Sequence, residues 1–195
     1  VARFDAHVQR SGILAALGVK AGPTQRDLIE RLRSLRAASV TTSTVDEVTT
    51  IYQLLASSLR DRSEGVPEGR MTAYQLRNAF RAGVDGPGLL LVGKQWLSPE
   101  AVLRGPAIFG PRRAFAPHID GLEPLWKTLG VEPPNASDAI AVLKELSDAP
   151  PAPVDLGVAI RALKLVAAAV PDMSVQLRTS LRRLPLWIGT AWSTE

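Results

Sequence analysis

Residues 17–35 read LGVKAGPTQRDLIERLRSL, and residues 129–146 read LGVEPPNASDAIAVLKEL. Both stretches open with Leu-Gly-Val, continue through a proline, and then place an aspartate and three apolar residues at the same spacing. The spacing of those apolar residues is that of one face of an α-helix. The similarity predicts that one helical segment occurs twice in the chain, with Gly18 corresponding to Gly130 and Asp27 to Asp138.

Further matches flank this stretch in an unbroken order. The paired segments are Phe4–Val8 with Phe115–Ile119, Val45-Asp46 with Val154-Asp155, Ile51 and Leu54 with Ile160 and Leu163, Gln75–Arg77 with Gln176–Arg178, and Gly93 and Trp96 with Gly189 and Trp192. The separation changes at segments that have the composition of loops, which tolerate differences in length. Chance similarity between amphipathic helices is the alternative, but it does not account for the shared F-x-x-H, L-G-V and G-x-x-W motifs.

The duplication sets the predicted domain organisation. We expect repeat unit 1 to span residues 1–111 and repeat unit 2 to span residues 112–195, the second lacking a counterpart of Ser98–Leu103. Because the chain begins at Val1 without a methionine, we expect it to be part of a longer array of such units.

Composition restricts the class of protein. The chain has 195 residues, of which 46% are hydrophobic and 22% charged, which is typical of a globular protein and excludes a disordered or fibrous one. The absence of cysteine excludes disulfides and Cys-ligated zinc or iron–sulfur sites. No apolar run reaches the roughly 18 residues that a membrane span needs. The net charge of +4 is too small by itself to indicate nucleic-acid binding.

Helical signals dominate each predicted unit. A capping box at Thr24–Asp27 precedes the first apolar stripe, and another begins at Thr72. The second helix of unit 2 runs from about Val154 to Val170, where Pro171 ends it. Its sequence predicts that four residues face the core, namely Ile160, Leu163, Val166 and Val170.

The last segment of each unit has the pattern of extended chain. Leu89–Val92 and Leu186–Ile188 each lead to a glycine that is followed three residues later by a tryptophan, which predicts a short β-hairpin. A short hairpin is marginal alone and must pack on helices. The predicted fold class is therefore α+β, predominantly α-helical, with two tandem copies of a helical unit that each end in a short β-hairpin.

The sequence contains no recognisable catalytic or cofactor-binding motif. Gly105–Arg112 has the glycine spacing of a P-loop but lacks its Lys and Ser/Thr, and Pro111 removes an N–H that a phosphate cradle would use. His7 and His118 occupy equivalent positions, but a metal site needs three or four ligands and neither has a neighbouring histidine. We expect no catalytic residue, no metal and no cofactor, and a structural role is favoured for both histidines.

Eight residues recur at matched positions and are expected to serve the repeated architecture. Tryptophans that close a hairpin onto helices are commoner than tryptophans that stack on a ligand, although both uses occur. The eight repeat positions are Phe4, His7, Gly18, Trp96, Phe115, His118, Gly130 and Trp192.

Arginine supplies most of the positive charge and defines the candidate interaction surface. Arginine suits bidentate contact with phosphate or carboxylate. Acidic residues are interleaved with the arginines of the first helix, so a solvated face with ion pairs is favoured over a nucleic-acid site. The candidate residues are Arg31, Arg33, Arg112, Arg113, Arg182 and Arg183.

Three segments resemble the long repeat region of the sacsin and NO VEIN family: Leu90–Val102, His118–Val131 and Leu184–Trp192. With the helices between them, the similarity covers most of the chain. These are large proteins with an N-terminal Hsp90-like (GHKL) ATPase domain, and the Ala/Arg-rich style here is typical of a bacterial member. The family's Asp-x-Gly-x-Gly loop and magnesium-binding Asn helix are absent, since Asp85–Gly88 has the wrong spacing.

The resemblance implies a non-catalytic segment downstream of such an ATPase, with a chaperone-like or scaffolding role in the cytoplasm. We therefore predict a repeat module that is not an enzyme and contacts a protein partner or other domains of its parent chain, with no membrane association. A nucleic-acid-binding module that uses the arginines is the alternative. An enzyme built on His7 and His118 ranks third.

Overall fold

The computed structural model describes residues 23–60, 70–83, 86–148, 153–183, 186–188 and 191–193. Helices account for most of these residues. The seven α-helices in the described ranges are α1 (Gln25–Ala37), α2 (Thr42–Arg60), α3 (Ala73–Phe80), α4 (Glu123–Leu129), α5 (Ala136–Ser147), α6 (Pro153–Ala169) and α7 (Val175–Arg182). Single 3₁₀ turns occupy Pro99–Ala101, Gly110–Arg112 and Val170–Asp172.

The strands of the described ranges form two-stranded sheets. Strands β1 (Leu90–Val92) and β2 (Gln95–Leu97) make an antiparallel hairpin. Strands β3 (Val102–Leu103) and β4 (Ala114–Phe115) pair in parallel, and β5 (Leu186–Ile188) and β6 (Ala191–Ser193) make a second antiparallel hairpin. Because the helices dominate and the sheets are this small, the predicted fold class is confirmed: the protein is α+β and predominantly α-helical.

The order of elements is repeated along the chain. Helices α1, α2 and α3 have 13, 19 and 8 residues and are followed by the β1–β2 hairpin. Helices α5, α6 and α7 have 12, 17 and 8 residues and are followed by the β5–β6 hairpin. This order is the one that a duplicated segment predicts.

The first helix of each copy begins with the same capping box. In α1 the Thr24 hydroxyl accepts from the Asp27 N–H at 3.3 Å, and the Asp27 carboxylate accepts from the Thr24 N–H at 2.8 Å. In α5 Asn135 and Asp138 make the same two hydrogen bonds, at 3.2 and 2.9 Å. The shared cap fixes where each helix begins relative to its apolar stripe.

The buried residues of α1 and α5 coincide position by position when Leu28 is placed on Ala139. In that alignment three further pairs are buried in both helices: Ile29 with Ile140, Leu32 with Leu143, and Leu35 with Leu146. We call the alignment that places Leu28 on Ala139, carried along the chain without insertion or deletion, the helix register.

The chain divides into two compact units. Unit 1 comprises residues 1–80 and 120–129, and unit 2 comprises residues 81–119 and 130–195. This division differs from the predicted boundary between residues 111 and 112, because α4 lies in the second sequence copy but packs against α2 and α3. The compact units and the sequence repeats are therefore different divisions of the same chain.

Each unit has its own apolar core. In unit 1 the fully buried side chains include Leu55, Leu76, Phe80 and Leu125, and the rings of Tyr52 and Phe80 lie 6.2 Å apart. In unit 2 one buried cluster joins α5, α6, Phe109 and Met173, its members being Phe109, Ala139, Ile140, Val142, Leu143, Leu146, Val158, Ala159, Ala162, Val166 and Met173.

Helix α6 buries a different face from the predicted one. Val166 is buried as predicted, but Ile160, Leu163 and Val170 are 45%, 39% and 43% exposed, so the prediction for these three residues was wrong. The buried face carries two alanines, Ala159 and Ala162, together with Val158 and Val166. Apolar residues occupy both faces of this helix, and alanine gives a weak apolar signal in sequence although it allows close packing of helices.

The helix register also aligns α6 with α2, and it differs by two positions from the sequence match of Val45-Asp46 with Val154-Asp155. In the helix register the buried residues coincide as three pairs: Val48 with Ala159, Ile51 with Ala162, and Leu55 with Val166. The sequence match, by contrast, would place the buried Ile51 on the exposed Ile160.

An ion pair between the first two helices supports this alignment. Arg31 of α1 donates to Glu47 of α2 at 2.5 Å. In the helix register these two residues correspond to Val142 and Val158, and both valines belong to the buried cluster of unit 2. The positions at which an exposed ion pair joins α1 to α2 are thus positions at which buried valines lie on α5 and α6, so both copies place facing residues at the same points of the two helices.

Candidate interaction surface

Two predicted surface arginines of α1 form ion pairs with carboxylates of their own unit. Arg31 Nε and Nη2 donate to the two carboxylate oxygens of Glu47 at 2.5 and 2.9 Å, and Arg33 Nη1 donates to Glu30 at 2.6 Å. The hydrogen bond from Arg31 holds the pKa of Glu47 below its ordinary value. These two pairs are of the kind expected on a solvated face, since the charges of Arg31 and Arg33 each lie beside a negative charge.

The arginines between β3 and α4 attach their segment to the helices of unit 2. Arg112 Nη2 donates to Asp155 at 2.7 Å, and both side chains are largely buried. Arg113 reaches both oxygens of Glu145, at 3.0 and 2.6 Å, and also donates to the Arg112 carbonyl at 2.7 Å. The bidentate bond from Arg113 holds the pKa of Glu145 below its ordinary value. These two arginines therefore act within the fold.

The remaining predicted arginines, Arg182 and Arg183, are exposed at the C-terminal end of α7. Positive charge at the C-terminal end of a helix interacts favourably with the helix dipole. Of the six predicted surface arginines, four thus have carboxylate partners in their own unit and two lie away from the core.

The predicted repeat positions have different environments. Trp96 is half-buried in β2 opposite Leu91, and Phe115 packs against the core of unit 2 with its ring 6.2 Å from that of Phe109. Gly130 follows α4 at a φ of +75°, a left-handed conformation that favours glycine. Trp192 lies in β6, in register with Trp187. Three of the eight positions, Phe4, His7 and Gly18, lie outside the described residues.

His118 is exposed in the segment between β4 and α4. An exposed imidazole fills no core position, so of the structural roles open to His118 the one that remains a prediction is at the entry to α4. The described residues contain no group of three or more His, Cys, Asp or Glu side chains that could hold a metal ion.

Helix α6 carries a second apolar stripe, and three of its members, Ile160, Leu163 and Val170, are residues that the sequence predicts to face the core. Leu156, Ile160 and Leu163 are 39%, 45% and 39% exposed, and Val170 at the following 3₁₀ turn is 43% exposed. With the exposed Ala167, these residues recur every three or four positions along one side of the helix, as the members of a single face do. We call this set (Leu156, Ile160, Leu163, Ala167, Val170) the α6 stripe.

The α6 stripe is the strongest candidate for a functional surface in the described part of the chain. Scattered exposed apolar residues are ordinary, but a contiguous exposed patch marks a surface that other molecules contact. Two apolar faces on one helix, with alanines on the packed face, are the sequence signal that could have identified it.

Among the described helices, none combines the length and the apolar character that a membrane crossing requires. No protein-family model, curated protein or solved structure matches the chain. Its function must therefore be argued from its own geometry.

Proposed function

We propose that the chain is a non-catalytic repeat module that binds a protein partner through the α6 stripe. The observation that carries this proposal is the run of exposed apolar side chains along one face of a helix whose opposite face is packed. Burying such a face against a partner is favourable by about 25 cal/mol for each Å² removed from water. Repeat modules commonly present surfaces of this kind for binding.

The ion pairs favour a protein partner over a nucleic acid. Binding to a phosphate backbone requires arginines and lysines whose charge is available to release counterions. Arg31, Arg112 and Arg113 already donate to carboxylates of their own unit. The apolar stripe, by contrast, offers neutral side chains that a phosphate backbone does not engage.

We further propose that the module belongs to a larger sacsin- or NO VEIN-like protein, in which it is a cytoplasmic scaffold downstream of the ATPase domain. The support for this is the strand, tryptophan and Ser-Pro order of β2 and the turn after it, where Ser98 precedes the 3₁₀ turn Pro99–Ala101. In this setting the partner is another domain of the parent chain or a protein that the parent protein holds.

The test compares three immobilised baits: the wild-type chain, the double variant Ile160→Asp/Leu163→Asp, and Leu54→Asp. Leu54 is a matched control because it is 43% exposed and lies on α2, outside the stripe. We expect a protein that the wild type and the control retain from the source cell's lysate and the double variant loses. The same protein, once purified, should bind with the same pattern in isothermal titration calorimetry.

Three results would contradict the proposed function. The first is equal retention of every bound protein by all three baits. The second is ATP hydrolysis by the purified chain above a heat-treated sample, and the third is salt-sensitive binding of DNA or RNA that the double variant leaves unchanged.

A further inference from the structure

In unit 1, helix α4 covers the face of α2 that α1 leaves open. Leu125, Trp126 and Leu129 of α4 are 0%, 5% and 1% exposed. The Trp126 ring meets the ring of Tyr52 on α2 edge-on, with centroids 5.8 Å apart and planes at 74°. A short helix that buries three large side chains is therefore part of the core of unit 1.

The ends of α4 are also fixed within unit 1. Arg77 of α3 donates from Nε to the carbonyl oxygen of Thr128 at 3.2 Å, in the last turn of α4. Arg60, the last residue of α2, donates to the carbonyl oxygen of Gly121, just before α4 begins. Carbonyls at a helix C-terminus have no partner within the helix, so an arginine there stabilises the docked helix.

The part of the α6 stripe from Ile160 onward occupies the equivalent face in unit 2, whereas Leu156 corresponds to Val45, which is 40% exposed in unit 1. In the helix register, Leu163 corresponds to Tyr52, the residue under Trp126. Ala167 corresponds to Ala56, which is buried in unit 1. The remaining stripe residues Leu156, Ile160 and Val170 correspond to Val45, Thr49 and Leu59.

The arginine that holds the end of α4 is repeated as well. The triplet Gln75-Leu76-Arg77 recurs as Gln176-Leu177-Arg178, and both leucines pack toward the core of their units. Arg178 donates from Nη2 to the carbonyls of Val170 and Pro171, at 3.0 and 3.4 Å. A guanidinium has five N–H donors, so the remaining N–H groups of Arg178 can donate to carbonyls at the C-terminal end of a docked helix, as Arg77 does for α4.

We propose that the α6 stripe is the docking site for a short helix of the α4 type, supplied by a further repeat of the same kind. The ligand is a helix with apolar side chains at the positions of Leu125, Trp126 and Leu129, followed by a glycine that ends it. This inference rests on the proposed function and specifies the partner. The occupant is the helix that the same fold places on the same face of unit 1.

The test uses the full chain and a synthetic peptide with the sequence of residues 120–131, labelled with fluorescein at its N-terminus. We expect a saturable rise in fluorescence anisotropy as the chain is added. Leu163→Asp and Ile160→Asp should each weaken binding about tenfold or more, as expected when a charge is placed in an apolar contact. Leu54→Asp should leave binding unchanged.

Two additional variants test the geometry. Arg178→Ala should weaken binding severalfold, because the last carbonyls of the docked helix lose their donor. A peptide with aspartate in place of the tryptophan at position 126 should not bind. Since both α6 positions are well exposed, the α6 variants should keep the far-UV circular dichroism and thermal midpoint of the wild type.

The inference is overturned if the peptide fails to bind at about 1 mM, or if Leu163→Asp and Leu54→Asp bind it equally. It is also overturned if sedimentation shows that the wild-type chain is a dimer, that Leu163→Asp is a monomer, and that adding the peptide leaves the dimer intact. The occupant of the α6 stripe is then a second copy of the chain. If the bait experiment succeeds while the peptide fails, the proposed function stands and only the occupant is wrong. If neither responds to the α6 variants, both proposals fail.

Discussion

At the residue scale, Gly88 shows how closely the backbone of unit 2 is packed. It precedes β1 and lies against the end of β2, where a Cβ added to it would come within 2.3 Å of the Leu97 carbonyl oxygen and of the Ser98 Cα. Both of these are main-chain atoms, which cannot rotate away as a flexible side chain can. Glycine is required here by the close approach of two backbone segments.

We expect Gly88→Ala to lower the free energy of unfolding by about 1–3 kcal/mol, as overpacking does. Gly83→Ala is the matched control, because no atom lies within 4 Å of a Cβ at that position. Urea unfolding of the two variants measures the difference. Equal stability of the two variants would show that the backbone around Gly88 accommodates a Cβ without loss of unfolding free energy.

A second residue-scale prediction concerns pH. The bond from Arg113 holds the pKa of Glu145 below its ordinary value of 4.5. A carboxyl whose pKa is lower in the folded protein adds stability above its unfolded pKa, and this stability is lost as the pH falls through the folded value. We expect wild type to exceed Glu145→Gln in stability by up to about 1 kcal/mol near pH 7, because the pair is partly exposed.

This advantage of the wild type should decline as the pH falls below 4.5, and at pH 7 it should narrow in about 1 M salt, which screens the pair. Urea unfolding at several pH values gives the difference directly. A gap between wild type and Glu145→Gln that is the same at every pH would show that the ion pair contributes nothing.

At the scale of elements, the same substitution is expected to change stability differently on the two faces of α6. Ala162 is 0% exposed in the cluster of unit 2, so Ala162→Leu should cost about 1–3 kcal/mol by overpacking. Ala167 is exposed on the same helix, and Ala167→Leu should change stability by less than about 0.5 kcal/mol. Thermal or urea unfolding of both variants checks the assignment of the faces. If the two costs are reversed, the alignment of α6 with α2 in the helix register is wrong.

Local signals in the sequence were sufficient to predict most elements. The capping box at Thr24 depends on residues three apart, and the apolar stripes and Gly-x-x-Trp hairpins that indicate the fold class depend on similarly short spacings. The features that could not be predicted from sequence depend on contacts between residues that are distant in the chain. The interior face of α6 is set by α5, and the partners of Arg112 and Arg113 lie 43 and 32 residues away.

The candidate site was harder to predict than the fold. Residues such as Ile160, Leu163 and Val170 have the same spacing whether they face a core or solvent, so periodicity alone places them in the core. The alanines Ala159 and Ala162 identify the buried face of α6 only once the packing of α5 against them is known. The ion-paired state of the arginines was predicted, but charge in sequence does not reveal which carboxylate pairs with each arginine.

At the scale of the whole molecule, a sequence repeat and a compact unit need not coincide. Only residues 130–135 separate α4 from α5 in the chain, yet α4 packs with α2 and α3 while α5 packs with α6. A repeat whose first helix packs on the preceding unit offers a face on which the corresponding helix of a further repeat can dock. In our proposal the α6 stripe is the face of unit 2 that takes such a helix.

This division predicts which backbone amides lose protection together. Phe80 is 0% exposed and its ring lies 6.2 Å from that of Tyr52, so Phe80→Ala should cost about 3–5 kcal/mol within unit 1. Hydrogen exchange should therefore accelerate in α4, whose Trp126 packs on Tyr52, and much less in α5, its neighbour in sequence. Trp96→Ala, a half-buried aromatic in unit 2, is the control and should leave α4 protected. If exchange in α4 instead follows exchange in α5 in both variants, α4 is stabilised with its own sequence copy, and its contact with α2 then says nothing about what binds the α6 stripe.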